Sequence, residues 1–214
     1  MTIPIGQIIE IAKHGLVSSA TSFEAIANGR VPMTAWGADR MPEAWILASM
    51  MRAAHDNQFA AIPEVRIRHD MPWFTTGQGE AERRLEPDDF PALRDAGAKI
   101  DLILGEESAI PDCTRVRLAM EIKGPKANWD AFARDLHRLQ HLRQVINRQD
   151  EAVVFAYVTC PLTPAQQAAE LATACRLMQL QPQDFVVVPA LRFSVYANNQ
   201  QPDVRSYVFL HVLP

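Results

Sequence analysis

Two apolar runs separated by a polar turn constrain this chain more than anything else in it. They read Lys99-Ile100-Asp101-Leu102-Ile103-Leu104 and Leu118-Ala119-Met120-Glu121-Ile122-Lys123-Gly124-Pro125. Each is bounded by turn residues, so both read as strands, and as neighbours. Charge interrupts both: Asp101 sits in the first, Glu121 and Lys123 in the second. Side chains alternate across a strand, so Glu121 and Lys123 share one face while Met120 and Ile122 point to the other. Desolvating a lone carboxylate or ammonium costs several kcal/mol. If Asp101 lies beside Glu121, two acids and one ammonium converge at the sheet edge, where a hard divalent cation would relieve the repulsion between the acids.

Around this centre the pattern alternates between helix and strand. Residues 5–16 carry apolar positions at Ile5, Ile8, Ile9, Ala12 and Leu16, which is helical spacing. The run Ser18-Ser19-Ala20-Thr21-Ser22 is expected to break that helix, with a second starting at Thr21 or Ser22 and ending at Asn28-Gly29. Residues 31–40 read as loop, so residues 1–40 form an N-terminal helical arm that could dimerise, grip a substrate or cover a sheet face. Pro42 opens an apolar helix over 42–57, with Glu43 in its first turn, where an acid favours the positive end of the helix dipole. A strand over 62–69 follows, and Glu64 at its start is a rival acid for the central site.

The polar segment 70–98, with a short helix expected over 88–94, is long for a connection inside a compact domain. If it edges the site, Arg83 and Arg84 contact phosphates; the plainer reading is a charge cluster that pairs internally. After the central strands Asn128 caps a helix reaching to about Asn147, with an apolar seam of Trp129, Phe132, Leu136, Leu139 and Ile146. Arg134, Arg138, His141 and Arg148 share another face of it, and Arg134 and Arg138 lie in its half nearest Lys123, as candidates for phosphate contact or as a solvated face. Residues 152–159 read as a strand buried on both sides. Thr163 caps a helix over 164–179, and strands follow over 185–188, 191–196 and 205–212, the last two as a hairpin. The fold class is therefore α/β: a mixed central sheet flanked by helices, in a domain spanning 41–214 behind the arm.

An acid on one strand, acid-any-Lys on the next and a helix directly after them resembles the PD-(D/E)XK, or restriction-endonuclease-like, nuclease superfamily. The matching residues are Asp101 and Glu121-Ile122-Lys123, followed by the helix with Trp129, Phe132, Asp135, Leu136 and Leu139. Ile100 stands where the pattern's proline would be. The resemblance implies a Mg²⁺-dependent nuclease, with Mn²⁺ as substitute. Asp101, Glu121 and the Ile122 carbonyl would hold the metal, and Lys123 would orient the attacking water or stabilise the developing oxyanion. It also makes Glu43 a further metal-proximal acid, since a helix before the first strand often supplies one. The plainer reading of Lys123 is an ion pair with Glu121 or Asp101.

Composition narrows the field. The 214 residues suffice for one well-buried α/β domain, and the net charge of −4 offers no global basic field to nucleic acid, so any DNA contact must be local. Three scattered cysteines suggest neither a metal pair nor a disulfide framework, and the absence of a signal-like N-terminus or long apolar run points to the cytoplasm. There is no Gly-rich phosphate loop and no Gly-x-Ser-x-Gly elbow. His137 and His141 lie four residues apart but lack a partnering acid motif, which favours helix surface over a transition metal. Two functions stand: a nuclease acting on DNA, possible as a homodimer, and a catalytically silent protein of the same fold that binds or regulates, as in a defence or mobile-element system.

Overall fold

A computed structural model describes residues 3–30, 43–77, 79–89, 98–125, 129–146, 148–160, 162–190 and 205–214, the side chains of 23–30, 68, 87 and 129–131 aside. Its centre is a mixed, mostly antiparallel sheet of eight strands. In chain order these are β1 (Ala60–Arg66), β2 (Phe74–Thr76), β3 (Arg83–Arg84), β4 (Lys99–Glu107), β5 (Thr114–Lys123), β6 (Ala152–Val158), β7 (Val186–Pro189) and β8 (Tyr207–Val212). The order across the sheet is β1-β4-β5-β6-β8-β7, and the short β2–β3 hairpin joins through β2. Only β5–β6 and β2–β5 run parallel. The hairpin takes the place beside the start of β5 that β6 takes beside its end, pairing at Thr114 and Arg115.

Helices cover both faces. On one side α1 (Ile5–Arg30) and α2 (Glu43–Asp56) pack Ile8, Leu16, Ile46 and Met50 against Leu102, Leu118, Met120, Ile122 and Val154. On the other, α4 (Trp129–Val145) and α5 (Pro164–Met178) cover Ile103, Ala119, Phe155 and Phe209, while α3 (Ile67–Asp70) is a single turn after β1. All seven residues of β6 are buried, as expected of a parallel-paired strand covered on both faces. Phe132 of α4 meets Phe155 and Tyr157 edge-on at centroid distances of 5.4 and 5.1 Å. Burying such a ring contributes about 1.5–3 kcal/mol, and the two edge contacts fix the rotation of α4 over the sheet. Among the described residues no helix is long and apolar enough to cross a membrane.

The expected break at Ser18–Ser22 does not occur: α1 is continuous. Ser19, wholly buried, donates its hydroxyl to the Leu16 carbonyl at 2.7 Å, so the helix itself satisfies a polar side chain that would otherwise favour a turn. The strand expected over 62–69 ends at Arg66, where Asp70 accepts the Arg66 amide at 2.6 Å and the chain turns into α3. The cap at Thr163 forms as expected, reciprocated by Gln166. Of the helix expected over 88–94, a turn of 3-10 helix at Pro87–Asp89 falls within the described residues. The loop at 31–40, Pro42, Asn128, Asn147, the strand at 191–196 and the turn before β8 lie outside them.

Between β4 and β5 the register shifts at Leu104/Gly105, so that Gly105 faces Val116 and Arg117 is the extra residue of a bulge. The bulge brings Leu118 to the α1–α2 side although Val116 lies on the α4–α5 side. Gly105 has no room for a side chain: an added Cβ would stand 2.2 Å from Thr114 Cγ2 and 2.9 Å from the Arg115 carbonyl. Arg117 turns inward, fully buried, donating Nε to the Asp150 carbonyl at 2.9 Å and Nη2 to the Ile3 carbonyl at 2.6 Å while pairing with Glu106. It thereby ties the start of α1 to the sheet.

Candidate metal and active site

The backbone ladder between β4 and β5 ends at Leu102↔Met120. Beyond it β4 continues on β1 through Ile100 and Lys99, while β5 continues on β6 as far as Lys123↔Tyr157. The two central strands therefore fork. A side chain bridges the fork: Asp101 Oδ2 accepts the Ile122 amide at 2.7 Å. Ala119 lies on the α4 side, so with period two Glu121 and Lys123 share that face, whereas Ile100 and Ile103 both pack on the α4 side and the alternation of β4 breaks beside Asp101. Asp101, whose carboxylate reaches across the fork to the Ile122 amide, lies close enough to Glu121 and Lys123 to act on both, and the three stand at the ends of two central strands.

Helix α4 completes the cluster. Lys123 Nζ lies 2.6 Å from Glu121 Oε1 and 2.7 Å from Asp135 Oδ2. Arg138 Nη2 lies 2.9 Å from the same Glu121 oxygen and 3.0 Å from Asp135 Oδ1. Glu121 is only 2% exposed, and its other oxygen, Oε2, is buried with no hydrogen-bond partner among the described residues. Glu43, in the first turn of α2, accepts the Gly124 amide at 3.4 Å, which places it at the end of β5.

The electrostatics follow from burial. Burial pushes the Glu121 carboxyl up to about 7; Asp101 pushes the same way, and Lys123 and Arg138 pull against it. Asp101 is also raised, first by burial, with Glu43 and Glu64 adding to it and the Ile122 amide and Lys123 opposing it. For Lys123 burial disfavours the charge, but Glu121, Asp135 and Asp101 outweigh it and hold the ammonium above the usual lysine range. Lys123 is therefore a proton-bearing cation, unsuited to act as a general base.

The donor set suits a hard dication. Two carboxylates and a strand-end carbonyl offer oxygen alone, the preference of Mg²⁺, which keeps several waters. The unpartnered Glu121 Oε2 is the kind of buried acceptor that such an ion satisfies. Among the described residues no three or more His, Cys, Asp or Glu converge as a ready-made metal cage.

Other residues singled out in the sequence lie elsewhere or are engaged. Arg83 pairs with Asp89 through two contacts of 2.8 Å, and Arg84 reaches the Pro111 carbonyl at 3.3 Å. Both sit on the hairpin beside Arg115, about 20 Å along β5 from Glu121, so they do not edge the fork. Glu64 pairs with Lys99 at 2.6 Å and takes a left-handed backbone, φ 54°, on the strand beside Asp101. Arg134 is exposed one turn before Arg138, and the His137 and His141 rings pack on each other at 4.5 Å. Sequence reasoning gave Asp135 no role. Its signal was a charged pair, Asp135 and Arg138, flanking the buried seam of Phe132, Leu136 and Leu139.

A second buried acid lies at the other end of the sheet. Glu151, 3% exposed, is pushed to about 7 by burial and by Asp150, with Arg115 and Arg148 opposing. Its folded value lies above the ordinary 4.5, so the fold favours the neutral form. That contribution is complete below pH 4.5 and is lost as pH rises through 7, up to about 3 kcal/mol. Glu151→Gln should therefore raise the urea midpoint at pH 8 and leave it nearly unchanged at pH 4.5. Equal shifts at both would assign the effect to packing.

No family model, curated protein or solved structure matches the chain. The fold and the site define an α/β protein with a mixed sheet and a buried acid–base cluster where its two central strands part.

Proposed function

We propose that this chain is a Mg²⁺-dependent nuclease with a restriction-endonuclease-like core, hydrolysing phosphodiester bonds of DNA in a cytoplasmic setting, with Mn²⁺ as a substitute. The observation that carries the reading is the fork itself. Glu121 and Lys123 share one face there, Asp101 reaches across to the Ile122 amide, and among the described residues Glu121 presents a buried, unpartnered oxygen. Asp101, Glu121 and the Ile122 carbonyl would hold the ion, with Glu43 close by. When bound, Mg²⁺ neutralises phosphate charge and acidifies a water. Lys123, kept protonated, places a fixed positive charge against the oxyanion that develops as water adds to phosphorus and the ester oxygen leaves. Cutting both strands of a duplex would take two copies of a chain with one such site.

A second reading has its own support. Lys123 and Arg138 already neutralise Glu121, as in a protein that keeps the fold to bind or regulate without cutting. Plasmid cleavage decides between them. The nuclease reading expects nicking or linearisation in Mg²⁺, none in EDTA, and none from folded Asp101→Ala. A purified chain that cuts nothing, or an Asp101→Ala variant that cuts as before, removes it.

A further inference from the structure

Glu121, Lys123, Asp135 and Arg138 form a closed quartet in which each cation has one anchor on β5 and one on α4. Glu121 gives a single oxygen to both cations, while Asp135 gives one oxygen to each. A dication on Glu121 Oε2 would stand beside two cations held on Oε1, and repulsion among the three favours the departure of one. Arg138 is the one suited to leave. Its contacts are longer, 2.9 and 3.0 Å against 2.6 and 2.7 Å for Lys123, and its side chain is more exposed, 22% against 14%. Its Nε is buried with no partner among the described residues, so the present placement leaves that donor unused by them. Asp135 lies one turn before it and remains as its tether.

We infer that Arg138 is a cation released by metal binding: a divalent ion taking Glu121 frees the guanidinium from that oxygen, and Asp135 then holds it as a clamp for a substrate phosphate. The inference rests on the metal-dependent reading above and adds a role for Asp135 as the positioning residue. Arg138 and Arg134, in successive turns, then form a short basic track beside the fork. Arginine suits the task because its planar fork can pair with phosphate while another edge stays on a carboxylate.

The test is Mn²⁺ affinity by calorimetry, with binding of a short phosphorothioate DNA duplex measured with and without Mn²⁺, in wild type and Arg138→Gln. Removing a competing unit charge favours a dication twice as strongly as it favours a proton at the same place, so the variant should bind Mn²⁺ about tenfold more tightly. It should also lose about tenfold of the duplex affinity that Mn²⁺ adds in wild type, with a salt slope shallower by about one. If Arg138→Gln does not fold, Arg138→Met keeps the aliphatic stem packed and replaces it. Mn²⁺ affinity that is unchanged or weaker overturns the release, and duplex affinity that is unchanged overturns the clamp. Failure of either protein to bind Mn²⁺ overturns both. A wild type that binds Mn²⁺ but hydrolyses no ordinary DNA sinks the nuclease reading alone, and these affinities still decide the role of Arg138.

Discussion

On the nuclease reading, Lys123→Met lowers DNA cleavage by about 10²–10³-fold while the protein stays folded and still binds Mn²⁺. The methionine keeps the stem that packs between β5 and α4 and removes only the ammonium. Glu121 then loses one of its two counter-ions and keeps Arg138 at 2.9 Å. Its carboxyl, already raised to about 7, is pushed further toward the neutral form, which limits the cost of the lost pair. Lys123 is no metal ligand, and removing a positive charge beside the acids should, if anything, tighten Mn²⁺ binding. Lys123→Arg should not restore the rate, because a planar guanidinium cannot take the place of a compact ammonium held between Glu121 and Asp135. Single-turnover cleavage and calorimetry on the same samples check this. Full activity in Lys123→Met, or loss of metal binding with it, would show that the residue does something else.

The largest loss of stability should come from Arg117→Met, far from the fork. The guanidinium is fully buried and joins three separate parts of the chain: Glu106 on β4, the Asp150 carbonyl before β6 and the Ile3 carbonyl ahead of α1. Removing one partner of a buried ion pair costs about 3–5 kcal/mol, because the remaining charge and carbonyls lose their hydrogen bonds without regaining water. Urea unfolding should show a lower midpoint, with an unfolding free energy reduced by that amount, and Arg117→Met with Glu106→Gln should recover part of it. A loss under about 1 kcal/mol would mean that the bulge relaxes and lets water in.

What could be read from the sequence follows from how local each signal is. The alternation along 118–123 places Glu121 and Lys123 on one face, because a strand's period is two, whereas along 99–104 it breaks beside Asp101, with Ile100 and Ile103 in the same core. Thr163 could be read as a cap because its partner, Gln166, lies three residues away. Asp135 could not be assigned a role, since its pairing with Lys123 depends on how Phe132 rotates α4 against Phe155 and Tyr157, a long-range packing outcome. Arg83 and Arg84 were ambiguous for a related reason. Strands of two and three residues carry no periodicity, so nothing local revealed that the hairpin docks beside the start of β5. The burial of Arg117 was hidden as well, because one extra residue in a bulge changes which face each neighbour takes.

If the fork between β4 and β5 holds a divalent cation, Mn²⁺ titration by calorimetry detects it, with Glu121→Gln and Asp101→Asn as controls of unchanged shape. Wild type should bind one Mn²⁺ per chain, and both variants should bind none. No binding in wild type, or binding that survives Glu121→Gln, would contradict a cation site at the fork.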